Sequence, residues 1–456
     1  MPVKKPEKGL CYESMLHNAD AAMSLFGSSG IRGVVGEVVT PDLALSIGAT
    51  VGSLHSEVLM AKDTRTSGDM ILHALASGAN STGANVFFAG MVPTPTLARA
   101  SKTYDCGLMV TASHNPPEYN GVKMWNPDGS AFDSRQMEQV ENLITSKKFK
   151  MAEWSSIGRS FPHEGAVEDH IQAVLDSVYG SSAKVILDCA CGATSVVSPI
   201  LLRKLGCAVL GINCQPDGFF PGRMPEPTEE HLADLKELIV KKGASLGIAH
   251  DGDGDRVVAF DEKGRFVDGD RLLALFTLFI KAKNVVVPVD ASMVLDDLVK
   301  GKVTRTKVGD VYVAEALKRT GADFGGEPSG TFIFPSETYC PDGVYAAALL
   351  ASMLEGRKLS ELVGSIPKYP LARRSFPFKA KDQAKISSKL DEAMRSVDCD
   401  RLDTMDGYRA QFADGWFLAR LSGTEPKVRI TVEARRSDSL DKLLKLAEGT
   451  IKRCLS

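Results

Sequence analysis

The hexapeptide DGDGDR at 251–256 sets carboxylates at Asp251, Asp253 and Asp255 with a glycine between each pair. Glycine lets the backbone turn so that three oxygens converge on one small cation, and hard oxygen donors favour Mg²⁺ or Ca²⁺. An EF-hand calcium loop is a competing reading, because Glu262 falls at its twelfth position. That loop requires glycine at its sixth position, where this chain has Arg256, and VVAF at 257–260 continues as a strand. A plain acidic turn is the remaining alternative.

A second candidate is TASHNPPEYNGVK at 111–123, where the apolar run GLMV delivers Ser113 onto a loop rich in turn formers. A serine at the carboxyl end of a strand is where α/β sheets place their sites. An acyl-transfer serine would sit in a G-x-S-x-G elbow, but Ala112 and His114 flank this one. A structural turn competes with a reactive serine until the acidic triplet is considered alongside it. Phosphoryl chemistry needs a hydroxyl and a cation together, and this chain offers both.

RLSGTEPKVR at 420–429 is a tight turn between two alternating strands. Its Ser422 and Thr424 hydroxyls, consecutive backbone N–H groups, Arg420 and Arg429 make a plausible anion nest, against the alternative of a polar β-hairpin. In GGEPSG at 325–330, Glu327 and Ser329 could hydrogen-bond sugar hydroxyls, although glycine, proline and serine are also ordinary loop residues. No Walker A or G-x-G-x-x-G pattern occurs, so a nucleotide is not indicated.

The elements that must position these groups alternate between strand and helix. VLMAKD, TRTSG, a helical stretch near 70–83 and NVFFAG form one unit, and a helical stretch near 94–103 leads into GLMVTAS. Later apolar runs, VILDCACG, PILLRKLG, AVLGIN, ELIVKKGA and SLGIAHD, are each broken by Gly or Asp. This pattern predicts α/β layering with largely parallel sheets. WFLARL and VRITVEA alternate and precede an amphipathic helix, which predicts a C-terminal α+β layer with an antiparallel sheet. Breaks at 147–163, at the charged turn DEKG (261–264) and at 367–378 divide the chain into about four units.

At 456 residues several packed units are expected, and 44% hydrophobic with 24% charged residues is a globular composition. A net charge of −3 gives no long-range attraction for nucleic acid or an anionic membrane, so neither partner is expected. Nine scattered cysteines without C-x-x-C spacing argue against a disulfide framework or zinc ribbon and point to a reducing cytoplasm. No stretch reaches the roughly 18 apolar residues of a membrane span.

Taken in order, FGSSGIRG (26–33), TASHNPPEYNGVK, DGDGDR, GEPSG and RLSGTEP resemble the α-D-phosphohexomutase family. The resemblance runs from about residue 24 to the C-terminus, and GGEPSGTFIFP is most similar to the archaeal phosphoglucosamine mutase branch, with phosphomannomutase or phosphoglucomutase as the alternative. It implies three consecutive mixed α/β domains plus a C-terminal α+β domain, heart-shaped around a central cleft. The expected boundaries are an N-terminal extension (1–22), a phosphoserine domain (23–152), a metal-binding domain (153–259), a sugar-recognition domain (260–366) and a phosphate-binding domain (367–456). The extension carries no motif and is expected to be dispensable, with Met23 as an alternative start.

The resemblance also implies roles. Ser113 is the expected phosphoserine; Asp251, Asp253 and Asp255, joined by the Ser113 phosphoryl, hold one Mg²⁺; and Arg32, His114, Lys123 and Arg256 surround the transferring group, Lys123 as the expected general base. Glu327, Ser329, Gly309 and Asp310 are expected at the sugar, and Arg420, Ser422, Gly423, Thr424 and Arg429 at the phosphate that is not reacting. The implied activity interconverts 1- and 6-phosphates of a hexose or hexosamine, with a hexose 1,6-bisphosphate as activator. Two rivals are a non-catalytic sugar-phosphate binder and a Mg²⁺-dependent phosphatase. One departure from the family is Thr331, where many members carry histidine; all eight histidines lie at or before His250.

Overall fold

The computed structural model describes residues 30–422 and 426–455. The extension 1–22, the start of the first motif, Gly423 and Thr424 lie outside the described residues. Four sheets follow one another along the chain. The first has six strands in the order Ile31–Val34, Tyr119–Trp125, Cys106–Val110, Glu57–Lys62, Asn85–Met91 and Ser160–Pro162. The last four are mutually parallel, and the first two make antiparallel pairs. Buried Val, Leu and Met side chains make the central strands apolar on both faces, as parallel strands covered by helices require.

The second sheet runs Phe266–Val267, Val257–Asp261, Leu246–His250, Lys184–Asp188 and Ala208–Ile212. The third runs Val303–Thr306, Val285–Pro288, Phe324–Gly326 and Phe332–Ile333. Both are parallel except where a hairpin closes one edge. The fourth, Leu371–Pro377, Lys427–Ala434, Gly415–Leu421, Tyr408–Phe412 and Arg401–Asp403, is wholly antiparallel. Helices Gln383–Arg395 and Ser437–Leu455 cover one of its faces. Three mixed α/β layers and a terminal α+β layer are thus present as the residue patterns indicate.

Two sequence signals read differently in three dimensions. The turn DEKG closes a hairpin at the end of the second unit: the Gly264 N–H donates to the Asp261 carbonyl at 2.9 Å, and the chain returns briefly as a strand of the same sheet before the third unit begins. Likewise Ser160–Pro162 lies within the first polar break, past the expected end of the first unit, yet pairs with Asn85–Met91 at the edge of the first sheet. The second and third units share one continuous apolar core, whereas the first and fourth each have their own. The fourth meets the third through a small cluster of Val289, Met293, Trp416 and Leu418. Among the described residues no helix is long and apolar enough to cross a membrane.

Candidate active site

Ser113 stands just beyond the strand Cys106–Val110 with φ of 51°, a left-handed conformation that costs a non-glycine residue energy and needs support. Arg65 supplies that support from a fully buried position. Its Nη atoms donate to the carbonyls of Ser113 (2.9 Å), Asn115 (2.7 Å), Pro116 (2.6 Å) and Tyr119 (2.8 Å), and its Nε pairs with Asp63 at 3.1 Å. The Thr111 hydroxyl donates to the same Asp63 carboxylate at 2.7 Å and accepts the Ser113 N–H at 2.8 Å. The serine loop is therefore tied to the floor of the first sheet by one guanidinium.

The aspartate loop follows the buried strand Leu246–His250. Asp251 Oδ1 accepts from the Gly254 and Arg256 N–H groups at 2.9 and 3.2 Å, while Oδ2 accepts from the Ser113 hydroxyl at 2.6 Å. Ser113 Oγ is also 3.4 Å from Asp255 Oδ1 and 3.4 Å from His114 Nδ1. This approach depends on glycine: a Cβ at Gly252 would come 2.6 Å from the Ser113 carbonyl oxygen, and Gly254 has φ of +77°. Lys123, on the neighbouring strand, donates to Asp253 Oδ2 at 2.8 Å and Asp255 Oδ2 at 2.5 Å. Thr94 adds its hydroxyl to Asp253 Oδ2 at 2.7 Å.

The oxygens of the three buried carboxylates lie within 4.8 Å of one another, and two of the three, Asp253 and Asp255, are ion-paired with the Lys123 ammonium. Burial, then Asp255 and Asp253, push the Asp251 carboxyl well above the usual range. Burial opposes ionisation of Asp253 too, but Lys123, Thr94 and Arg32 hold it well below that range. Burial weakens the Lys123 ammonium, yet Asp253 and Asp255 raise it above its ordinary value. Among the described residues Asp253 Oδ1 is buried with no hydrogen-bond partner, an orphan that a cation would satisfy. Three clustered carboxylate donors and that orphan oxygen suit a divalent, oxygen-seeking metal ion.

In front of this cluster is a cleft of 290 Å³. Arg32, Ser113 and His114 of the first unit and Asp255 and Arg256 of the second line one side. Gly309, Asp310, Glu327 and Ser329 of the third, and Arg420 of the fourth, complete it. Burial, then Arg256, Arg32 and Lys123, depress His114 to about 2, so its ring is neutral. Glu327 accepts the Gly309 N–H at 2.7 Å and lies 3.3 and 3.5 Å from the Thr331 and Ser329 hydroxyls. Burial and the neighbouring Asp310 raise its carboxyl to about 7.

Some expected groups are not brought together. Ser422 is buried, its N–H bonded to the Lys427 carbonyl at 2.9 Å, and Arg429 is exposed opposite Arg420 on the paired strand; neither lines the cleft. Arg420 is paired with Asp406 at 2.8 Å. Arg65, Asp63 and Thr94 were not anticipated as parts of the site. Charged and hydroxyl residues in KDTRTSG directly after an apolar strand are the signal that could have found the first two.

Comparison with known proteins gives the same picture. The chain matches phosphoglucomutase/phosphomannomutase α/β/α domain I over residues 23–151, domain II over 167–264, domain III over 268–369 and the C-terminal domain over 377–448. It is 48% identical to a Methanocella arvoryzae protein named as a probable phosphoglucosamine mutase, over 95% of this chain and 99% of that one. It is 39% identical to a phosphoglucosamine mutase of Methanococcus maripaludis, over 95% and 100% of the two chains. A crystal structure of a phosphoglucomutase/phosphomannomutase family protein from Burkholderia thailandensis superposes with a TM-score of 0.87 at 28% identity, covering 94% and 97%. With all four domains matched in order around a serine, an aspartate triplet and a shared cleft, the chain belongs to the phosphoglucomutase/phosphomannomutase family, the α-D-phosphohexomutases.

Proposed function

We propose that this enzyme is a cytoplasmic phosphoglucosamine mutase, converting glucosamine 6-phosphate to glucosamine 1-phosphate through phosphorylated Ser113 and a glucosamine 1,6-bisphosphate. The observation that carries the reading is the Ser113 hydroxyl, 2.6 Å from Asp251 within the carboxylate triplet and open to the cleft. Archaeal relatives with the phosphoglucosamine mutase name support the choice of sugar over mannose or glucose.

In the first half-reaction a sugar hydroxyl oxygen bonds to the phosphorus of phosphoserine, the bond from phosphorus to Ser113 Oγ breaks, and the proton lost by the hydroxyl is balanced by one gained at Oγ. The bisphosphate then turns over in the cleft, and its other phosphoryl group returns to Ser113. Mg²⁺ held by Asp251, Asp253 and Asp255 with a serine phosphoryl oxygen would neutralise the transferring charge. Arg32, Arg256 and neutral His114 are assigned to orienting that group. Lys123, expected from sequence as the general base, is assigned to that role beside the transferring group, where it ion-pairs with Asp253 and Asp255. Glu327 and Ser329, with Gly309 and Asp310, are assigned to the sugar hydroxyls. Arg420 is assigned to the phosphate that is not reacting, with Ser422, Arg429 and the undescribed Gly423 and Thr424 completing its hairpin.

The test is Ser113→Ala, assayed with trace glucosamine 1,6-bisphosphate beside mass spectrometry of the wild-type peptide. Turnover is expected to fall by several powers of ten, with a phosphoryl group on wild-type Ser113. An active alanine variant, together with a wild-type serine that never accepts phosphate, would overturn the mechanism.

A further inference from the structure

A second cavity, of 460 Å³, lies between the third and fourth units and shares no lining residue with the catalytic cleft. Strand register explains its chemistry. Asp403 stands opposite Arg409, and Arg409 opposite Leu418; Arg401 stands opposite Gln411, and Gln411 opposite Trp416. Alternation along a strand therefore puts Arg401, Arg409 and Trp416 on one face of the fourth sheet. That face is turned toward the third unit, where Trp416 packs on Val289 and Met293.

Arg409 is only 3% exposed. Its guanidinium lies 4.3 Å from the centre of the Trp416 ring, which is itself fixed by a 2.8 Å hydrogen bond from Nε1 to Glu433. Among the described residues the Arg409 side chain has no ion pair and no hydrogen bond, and its Nε is buried without a partner. A buried guanidinium is ordinarily matched by a carboxylate or a full set of acceptors. Here burial and the nearby Arg305 depress Arg409 to about 9, although Asp296, Glu433 and Asp403 oppose the shift.

The other charged groups lining the cavity do not supply the missing anion. Arg305 is paired with Asp296 at 2.7 Å, and Arg435 with Asp297 at 2.7 Å. Lys302 and Arg401, both exposed at the mouth, have no side-chain partner among the described residues. Asp403 is the one remaining carboxylate, already accepting the Met405 N–H at 2.8 Å. Counted against Asp403 and the nearby buried Glu433, which has no ion pair among the described residues, the three unmatched cations leave a surplus of one positive charge. Forked guanidiniums that line one cavity with a lysine are suited to a phosphoryl group, whose oxygens accept several N–H bonds at once.

We propose that this interdomain cavity is a second anion site that takes a phosphate-bearing ligand of the diphosphate class, gripped by Arg409 and Arg401 from the fourth unit and Lys302 from the third. Such a ligand ties the two units together. It also holds the strand Gly415–Leu421, which carries Trp416 into this cavity and Arg420 into the catalytic cleft. Occupancy here is therefore coupled to the placement of Arg420 against substrate.

The test is calorimetric titration of the full chain with inorganic pyrophosphate in metal-free buffer, in parallel with inorganic phosphate. Two binding events are expected with pyrophosphate, one at each cavity. Lys302→Ala combined with Arg401→Ala should weaken one event at least tenfold, as expected for loss of charged hydrogen bonds, and Arg409→Met should remove it. Arg420→Ala should weaken the other event alone. Should Arg409→Met not fold, the exposed Lys302/Arg401 pair carries the test. Wild-type binding that is lost only in Arg420→Ala, or that the Lys302/Arg401 pair leaves unchanged, overturns the second site, as does the absence of any pyrophosphate binding. These readouts are independent of turnover, so failure here leaves the mutase reading intact.

Discussion

Replacing Glu327 by glutamine separates the geometry of this side chain from its charge. The amide oxygen can still accept the Gly309 N–H, which Glu327 Oε1 accepts at 2.7 Å, but it cannot ionise. In the folded protein burial and Asp310 raise the carboxyl from its ordinary 4.5 to about 7, so the native state holds this proton to higher pH than the unfolded chain does. The wild-type protein therefore loses stability as pH rises through that interval, and the loss is complete above it. At 1.36 kcal/mol per pKa unit the interval corresponds to a ceiling of roughly 3 kcal/mol, a penalty that glutamine escapes. An unfolding entropy of about 2.1 cal/mol/K per residue gives about 1 kcal/mol/K for the 456-residue chain. Glu327→Gln should thus melt about 3 °C above wild type at pH 8 if the whole chain melts as one unit, and close to wild type at pH 5. Mutase turnover of the variant should fall although the fold is tighter, because the charged acceptor for a sugar hydroxyl is gone. Scanning calorimetry of both proteins at the two pH values decides the matter. A melting difference that does not change with pH, or a variant less stable at pH 8, would refute the reasoning.

Removing Mg²⁺ with a chelator should abolish turnover and adding it back should restore it, while Asp253→Asn should lose both turnover and measurable Mg²⁺ affinity by calorimetry; an Asp253→Asn protein that binds Mg²⁺ normally would clear the triplet of a metal role. Arg65→Met removes the guanidinium that bonds four carbonyls of the serine loop and leaves Asp63 buried and unpaired. It should cost about 3–5 kcal/mol by urea denaturation and lower kcat more than it raises KM, since the loop that aims Ser113 is released; unchanged denaturation would contradict the support role.

The order of motifs along the chain determined a good deal alone. Alternating apolar runs and helical stretches are local patterns, and they announced three α/β layers and an antiparallel terminal layer because side-chain periodicity is written into each element. DGDGDR could be read as a metal loop from spacing alone, since carboxylates two residues apart with glycine between them meet without help from elsewhere. What needed tertiary structure was everything that depends on partners distant in sequence. Lys123 joins the metal triplet only because Asp253 and Asp255, 130 and 132 residues away, close on its ammonium. Arg65 and Thr94 enter the site for the same reason: a lone arginine or threonine in a loop has no signature until the carbonyls or carboxylate it serves are folded beside it. A charged Gly-containing segment such as DEKG is equally good as a linker or as a hairpin, and only the pairing of Phe266–Val267 with Val257–Asp261 shows that the chain makes a hairpin there before the third unit begins. Arg409 is the extreme instance, since strand alternation puts it on a face, but only the docking of that face against the third unit leaves its charge buried and unmatched.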